Sequence, residues 1–138
     1  AMVSMKEFIG RWKLVHSENF EEYLKEIGVG LLIRKAASLT SPTLEIKLDG
    51  DTWHFNQYST FKNNKLAFKI REKFVEIAPD ERSYNTLVTF ENGKFISHQD
   101  KIKENHHSSV FTTWLENGKL LQTYQSGSVI CRREFVKE

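Results

Sequence analysis

The sequence predicts an all-β fold, a ten-stranded antiparallel up-and-down β-barrel capped by a helix-turn-helix lid. Three observations predict it. Turn signals recur at short intervals: Asp49-Gly50-Asp51, Lys62-Asn63-Asn64, Pro79-Asp80-Glu81, Glu91-Asn92-Gly93, Glu116-Asn117-Gly118 and Ser126-Gly127-Ser128. Asn-Gly and Asp-Gly supply the positive φ that tight hairpins need. Between the signals lie short runs rich in β-branched and aromatic residues, and one early segment switches to helical spacing.

The first strand is expected over Phe8–Val15. From Ser17 to about Ser38 the spacing is helical, with Phe20, Leu24 and Ile27 on one stripe and Glu21, Glu22 and Lys25 off it. Ser17 or Asn19 can cap this helix, and Gly28 and Gly30 end it. Leu31 to Ser38 reads as a second short helix, closed by Pro42. Nine strands follow: Thr43–Leu48, Thr52–Ser59, Lys65–Ile70, Lys73–Ile77, Tyr84–Phe90, Lys94–Gln99, Ser109–Leu115, Leu120–Gln125 and Val129–Val136. A meander of this length closes on itself to remove its exposed edges, and more than eight strands leave room inside. One domain spans residues 1–138, with the lid at about 17–38.

Side chains alternate across a strand, so the last strand sorts by parity. Cys131, Arg133 and Phe135 share one face; Ile130, Arg132, Glu134 and Val136 share the other, which carries an Arg/Glu pair. Parity favours Arg133 over Arg132 as the inward arginine. A guanidinium inside an apolar barrel requires an anion or several acceptors. Two readings follow: Arg133 rests against Gln122, Tyr124 and ordered water, or it anchors a ligand's carboxylate, whose geometry it matches. Gln99, Thr113, Gln122 and Tyr124 are the further polar candidates for the interior, and they suit a wet cavity.

Composition excludes several classes. Hydrophobic residues at 39% and charged residues at 28% mark a globular chain. A net charge of +2 with interspersed signs lacks the concentrated basic face of a nucleic-acid binder. No apolar run approaches the ~20 residues of a membrane span. Met2-Val3-Ser4-Met5-Lys6-Glu7 leads into no apolar stretch of a secretory signal, and Ala1 reads as a cloning remnant. The single cysteine, Cys131, fits a reducing compartment and reads as a packed, inert thiol. His16, His54, His98, His106 and His107 show no ligand spacing, so no metal and no cofactor is expected. Gly28-Val29-Gly30 has Ile33 where a dinucleotide loop needs its third glycine, and reads as a turn between helices. No nucleophile–base pair stands out, and no catalytic residue is assigned.

The chain resembles the intracellular lipid-binding proteins, the fatty-acid-binding proteins in particular, and among them an invertebrate member. The resemblance runs along essentially the whole chain. It rests on Phe8-Ile9-Gly10-Arg11-Trp12-Lys13-Leu14, Ser17-Glu18-Asn19-Phe20-Glu21-Glu22-Tyr23-Leu24-Lys25, Gly28-Val29-Gly30 with Arg34-Lys35, Ser59-Thr60-Phe61-Lys62-Asn63 and Asp80-Glu81-Arg82. It implies a lipocalin-like (calycin) barrel holding one or occasionally two fatty acids. It implies that Phe20, Leu24, Val29, Ala37, Pro42 and Phe61 line the portal and acyl channel, with Phe61 as gate, and that Arg133 holds the carboxylate. Many members add a second arginine and a tyrosine; here those positions are Thr113 and Phe135, a thinner anchor closer to the liver-like pattern. Lys101–His107 is longer than usual for the family.

The resemblance also implies a role. A monomeric, non-enzymatic carrier takes long-chain fatty acids through the cytoplasm to membranes or protein acceptors, nuclear receptors among them, and visits the nucleus or organelle membranes. Lys25, Arg34 and Lys35 on the lid are the residues expected to dock on anionic membranes or to form a nuclear import signal. A retinoid, a bile-acid-like molecule or an N-acyl lipid is the alternative cargo. An enzyme acting on lipid inside the barrel and an interaction module with an incidental cavity are the readings from other classes.

Overall fold

The computed structural model describes residues 4–138, so Ala1, Met2 and Val3 lie outside the described residues. Ten strands form one antiparallel sheet: β1 (Gly10–Glu18), β2 (Thr43–Asp49), β3 (Thr52–Tyr58), β4 (Asn64–Lys69), β5 (Phe74–Ile77), β6 (Ser83–Glu91), β7 (Lys94–Lys101), β8 (Ser109–Glu116), β9 (Lys119–Ser126) and β10 (Val129–Lys137). Their order is β4-β3-β2-β1-β10-β9-β8-β7-β6-β5, an up-and-down meander joined by the pairing of β1 with β10. Only β4 and β5 remain unpaired with each other, which leaves the barrel nearly closed. Helices α1 (Phe20–Glu26) and α2 (Leu31–Ser38) separate β1 from β2.

The turns follow from their residues. At Asn92-Gly93 and Asn117-Gly118 both central residues have positive φ (53° and 77°, 52° and 77°), the two-residue geometry whose twist matches the flanking strands.

The chain departs from its sequence-based expectation at the start. Phe8 does not begin a strand. A 3₁₀ helix spans Met5–Phe8, closed by a capping box in which Ser4 and Glu7 satisfy each other's backbone amides. Phe8 thereby becomes a fully buried plug, and its carbonyl accepts the Trp12 indole N–H at 2.9 Å. The helical hairpin also starts later than Ser17. Ser17 and Glu18 are held in the β1–β10 ladder opposite Arg133 and Arg132. Asn19 takes the cap position of α1 in the left-handed region, yet its side chain does not cap; it donates to the Ile130 carbonyl and ties the lid to β10.

Buried residues form two clusters. The larger, at the end closed by the 3₁₀ helix, holds Phe8, Trp12, Trp53, Phe68, Phe95 and Phe135 among others. The smaller lies beneath the lid and joins Tyr23 and Ile27 of α1 to Tyr124 and Cys131. Between them the barrel is hollow.

Candidate functional site

The cavity has a volume of about 300 Å³, at the lower end of small-molecule sites. Its mouth lies under the lid, where Phe20, Leu24, Val29 and Ala37 of the hairpin meet Pro42 and Phe61. The structure thus places all six portal candidates on the cavity wall. Phe61, on the β3–β4 turn, is 42% exposed and stands at the rim.

Inside, parity on β10 holds: Cys131, Arg133 and Phe135 are buried, while Ile130 and Arg132 are exposed. Arg133 lines the cavity and is only 3% exposed. No carboxylate pairs with it among the described residues. Nη1 donates to Ser17 Oγ at 3.3 Å, its across-strand neighbour, and Nε has no partner. The guanidinium carbon sits 4.0 Å from the Phe20 ring centroid and 5.9 Å from that of Tyr124. An aromatic face shelters the charge but offers no oxygen to it.

Beside it, Gln122 and Thr113 continue the same row across β9 and β8. Tyr124 donates to Gln122 Oε1 at 2.8 Å, and Gln122 Nε2 donates to Thr113 Oγ1 at 3.2 Å. Burial pushes the Tyr124 phenol up, against the pull of the Arg133 charge. Gln99 also lines the cavity, on β7. Phe135 does not: it packs into the large core cluster, one alternation beyond Arg133. The Cys131 thiol is fully buried and pushed up to about 11, chiefly by burial, which keeps it from reacting as a thiolate. The residues lining the cavity include no histidine and no cysteine, and among the described residues no three His, Cys, Asp or Glu side chains come together.

Three residues were missed from sequence. Tyr23 of α1 reaches the wall and meets Ser109 Oγ at 2.8 Å. Glu76 of β5 is only 8% exposed, faces the cavity and accepts from Thr86 Oγ1 at 2.9 Å. Ser17 supplies the one hydrogen bond to Arg133. The signal for Glu76 was present, since Phe74, Glu76 and Ala78 alternate on one face of a short strand.

Burial drives the Glu76 carboxyl above its ordinary 4.5, opposed by hydrogen bonds from Thr86 and Gln99 and reinforced by Asp80. A carboxyl raised by folding stabilises the fold only while protonated. That contribution is complete below 4.5 and is lost as pH rises through the raised folded value. Glu76→Gln, uncharged throughout and still an acceptor for Thr86, is expected to melt above the parent at pH 7, the gap closing as pH falls to about 4.5. Melting curves across that range check it; a gap that widens in acid contradicts it.

On the lid the three basic candidates differ in their partners. Lys35 donates to Glu21 at 3.0 Å, and Arg34 lies 3.5 Å from the same carboxylate while donating to the Val29 carbonyl. Arg34 and Lys35 thus share one carboxylate, while of the three Lys25 is exposed without an ion pair among the described residues. What the lid presents instead is apolar: Leu32 is 84% and Leu39 88% exposed, with Leu31 and Ile33 beside them. The hairpin is held down at its turn. Arg82 donates to the carbonyls of Ile27 and Gly28 and pairs with Asp80. Gly28 has φ of 88°, and a Cβ there would stand 3.3 Å from the Arg82 guanidinium, so glycine serves both the turn and the close approach.

Comparison with known proteins agrees with this geometry. The model of the lipocalin / cytosolic fatty-acid binding protein family matches residues 9–138. Fatty acid-binding protein homolog 7 of Caenorhabditis elegans is 69% identical over 137 residues, covering 99% of this chain and 100% of the relative. Homolog 6 of the same organism is 59% identical over 133 residues, covering 96% and 98%. The crystal structure of Echinococcus granulosus fatty-acid-binding protein 1 superposes with a TM-score of 0.89 at 33% identity, covering 96% of this chain and 98% of that one.

Proposed function

Since this chain belongs to the lipocalin / cytosolic fatty-acid binding protein family, we propose that it is a carrier of long-chain fatty acids, bound in the barrel with the carboxylate at Arg133. The observation that carries this reading is the buried, anion-free guanidinium facing an otherwise largely apolar cavity. An unpaired buried charge is an expensive thing for a fold to keep, and a ligand carboxylate is the group that satisfies it. Gln122, Thr113 and Tyr124 flank that head group, and the portal residues hold the chain. The whole of residues 1–138 acts as one binding domain, monomeric and resident in the cytoplasm.

The test is titration of delipidated protein with a fluorescent fatty acid, followed by displacement with oleate, retinol and oleyl alcohol. Saturable binding displaced best by oleate is expected. Equal displacement by the alcohol removes the role given to Arg133, and no binding removes the carrier.

Delivery is the second half of the proposal. Leu32 of α2 and Leu39 at its C-terminal cap are exposed on the lid, and burying each in a lipid surface yields about 1.5–3 kcal/mol, against ~1 kcal/mol for a basic residue near anionic lipid. Docking on membranes is thus led by the apolar face and tuned by Lys25. Leu32→Ser/Leu39→Ser is expected to slow fatty-acid transfer to vesicles at least tenfold while leaving equilibrium binding unchanged; equal transfer rates reject membrane docking through the lid. A nuclear receptor is the alternative acceptor, and an import signal on the lid requires release of Arg34 and Lys35 from Glu21.

A further inference from the structure

Two arcs of polar side chains stand at the cavity, apart from other polar lining residues such as Gln57, Lys62, Asn64 and Ser97. In the first, Arg133, Gln122 and Thr113 stand in direct register across β10, β9 and β8. In the second, Thr86, Gln99 and Ser109 stand in register across β6, β7 and β8, with Glu76 hydrogen-bonded at one end and Tyr23 at the other. Phe95 extends the first arc opposite Thr113, and the row of Phe111 with Ser97 lies between the two arcs on β8 and β7. Only the first arc holds a cation. The second ends in a carboxyl that no cation pairs with among the described residues and whose hydrogen bonds come from Thr86 and Gln99, although a carboxylate can accept about four.

From this arrangement we infer that Glu76, with Thr86 and Gln99, forms a second polar station that accepts a hydrogen bond from a hydroxyl on the ligand's chain, so that the cargo is a hydroxylated long-chain fatty acid. The inference rests on the carrier reading and narrows its substrate class. A ligand carboxylate placed beside Glu76 meets like charge, so the head group belongs at Arg133 and the chain passes the second arc. A plain methylene run laid against Glu76 strips it of water and returns no hydrogen bond, whereas a hydroxyl replaces what is lost. The arc is displaced from the Arg133 row by the intervening Phe111 and Ser97 row, which sets the hydroxyl along the chain and not beside the carboxylate.

The test is displacement of a fluorescent fatty acid from the delipidated protein by stearate and by a positional series of monohydroxystearates. One member of the series is expected to displace about three- to tenfold more tightly than stearate. In Glu76→Leu/Thr86→Val, which removes the carboxyl and its Thr86 donor and leaves only Gln99 of the station, the preference for the hydroxy acid is expected to be lost. A series in which no member beats stearate, or a preference that survives in the double variant, overturns the inference. If the double variant does not fold, the infrared band of the Glu76 carboxyl, identified by its loss in Glu76→Gln, supplies the answer. It is expected to shift with the favoured hydroxy acid and not with stearate, and an unmoved band overturns the inference. Failure of stearate and every hydroxy acid to displace the probe is a different result, which rejects the carrier reading itself.

Discussion

Arg133→Met is expected to make the apo protein more stable and the carrier worse. In the parent the guanidinium is buried against the Phe20 ring with a single hydrogen bond, to Ser17, and with Nε unpartnered. Desolvating an ion costs several kcal/mol even after relaxation. The aromatic contact returns roughly 2 kcal/mol and the Ser17 bond about 1.5–3 kcal/mol. Methionine fills much of the same volume without a charge, and comparable replacements gain about 1–4 kcal/mol, several degrees in Tm. Binding moves the other way. Loss of a charge-assisted hydrogen bond of about 1.5–3 kcal/mol weakens oleate by about ten- to a hundredfold. It does not abolish binding, because roughly fourteen methylenes supply on the order of 11 kcal/mol before association costs. Oleyl alcohol, with no carboxylate to lose, should bind parent and variant alike. Calorimetry on delipidated protein and displacement titrations measure both arms. A variant that melts lower and binds oleate unchanged makes Arg133 a structural residue and removes the anchor.

That conflict between stability and binding was partly visible in the sequence. Period-two alternation on the last strand turned Arg133 inward beside Cys131 and Phe135, and the ladder places all three as that pattern requires. The hairpins were visible too, since Asn-Gly admits few alternatives to a two-residue turn with positive φ. Tertiary pairing was not visible. Ser17 carries the chemistry of a helix cap, yet the β1–β10 ladder holds it opposite Arg133. Phe8 carries the chemistry of a strand, yet a local capping box folds it into a plug. Parity says that Phe135 points inward but not how far along the axis the hollow extends, so it was grouped with Arg133 when it belongs to the core below. The ion pairs of the lid were invisible for a related reason: Glu21 reaches Arg34 and Lys35 across two helices, a contact no local pattern encodes.

The same boundary between core and cavity makes Phe95→Ala the most damaging substitution expected in the barrel. The Phe95 ring meets Phe8 and Phe90 at 4.9 Å, Trp53 at 5.0 Å and Phe55 at 5.2 Å, all but Phe8 and Phe90 from the opposite side of the sheet order. It is both the centre of the aromatic cluster and part of the cavity floor. Removing a buried phenyl loses its transfer energy and the contacts of every ring around it, about 3–5 kcal/mol, or roughly 10–20 °C in Tm for a chain of this size. Domains of this kind hold only about 5–15 kcal/mol in total, so the variant folds with little to spare. Unlike a void sealed in a core, this one opens into the ligand cavity. A long chain can extend into it and recover part of the buried apolar contact that the phenyl supplied. The rise in Tm on adding a saturating C22 acid is therefore expected to be larger in the variant than in the parent, and the preferred chain to be longer. Thermal shifts with C16, C18 and C22 acids decide it. If chain-length preference is unchanged while stability falls, Phe95 belongs to the core alone and the floor of the cavity lies above it.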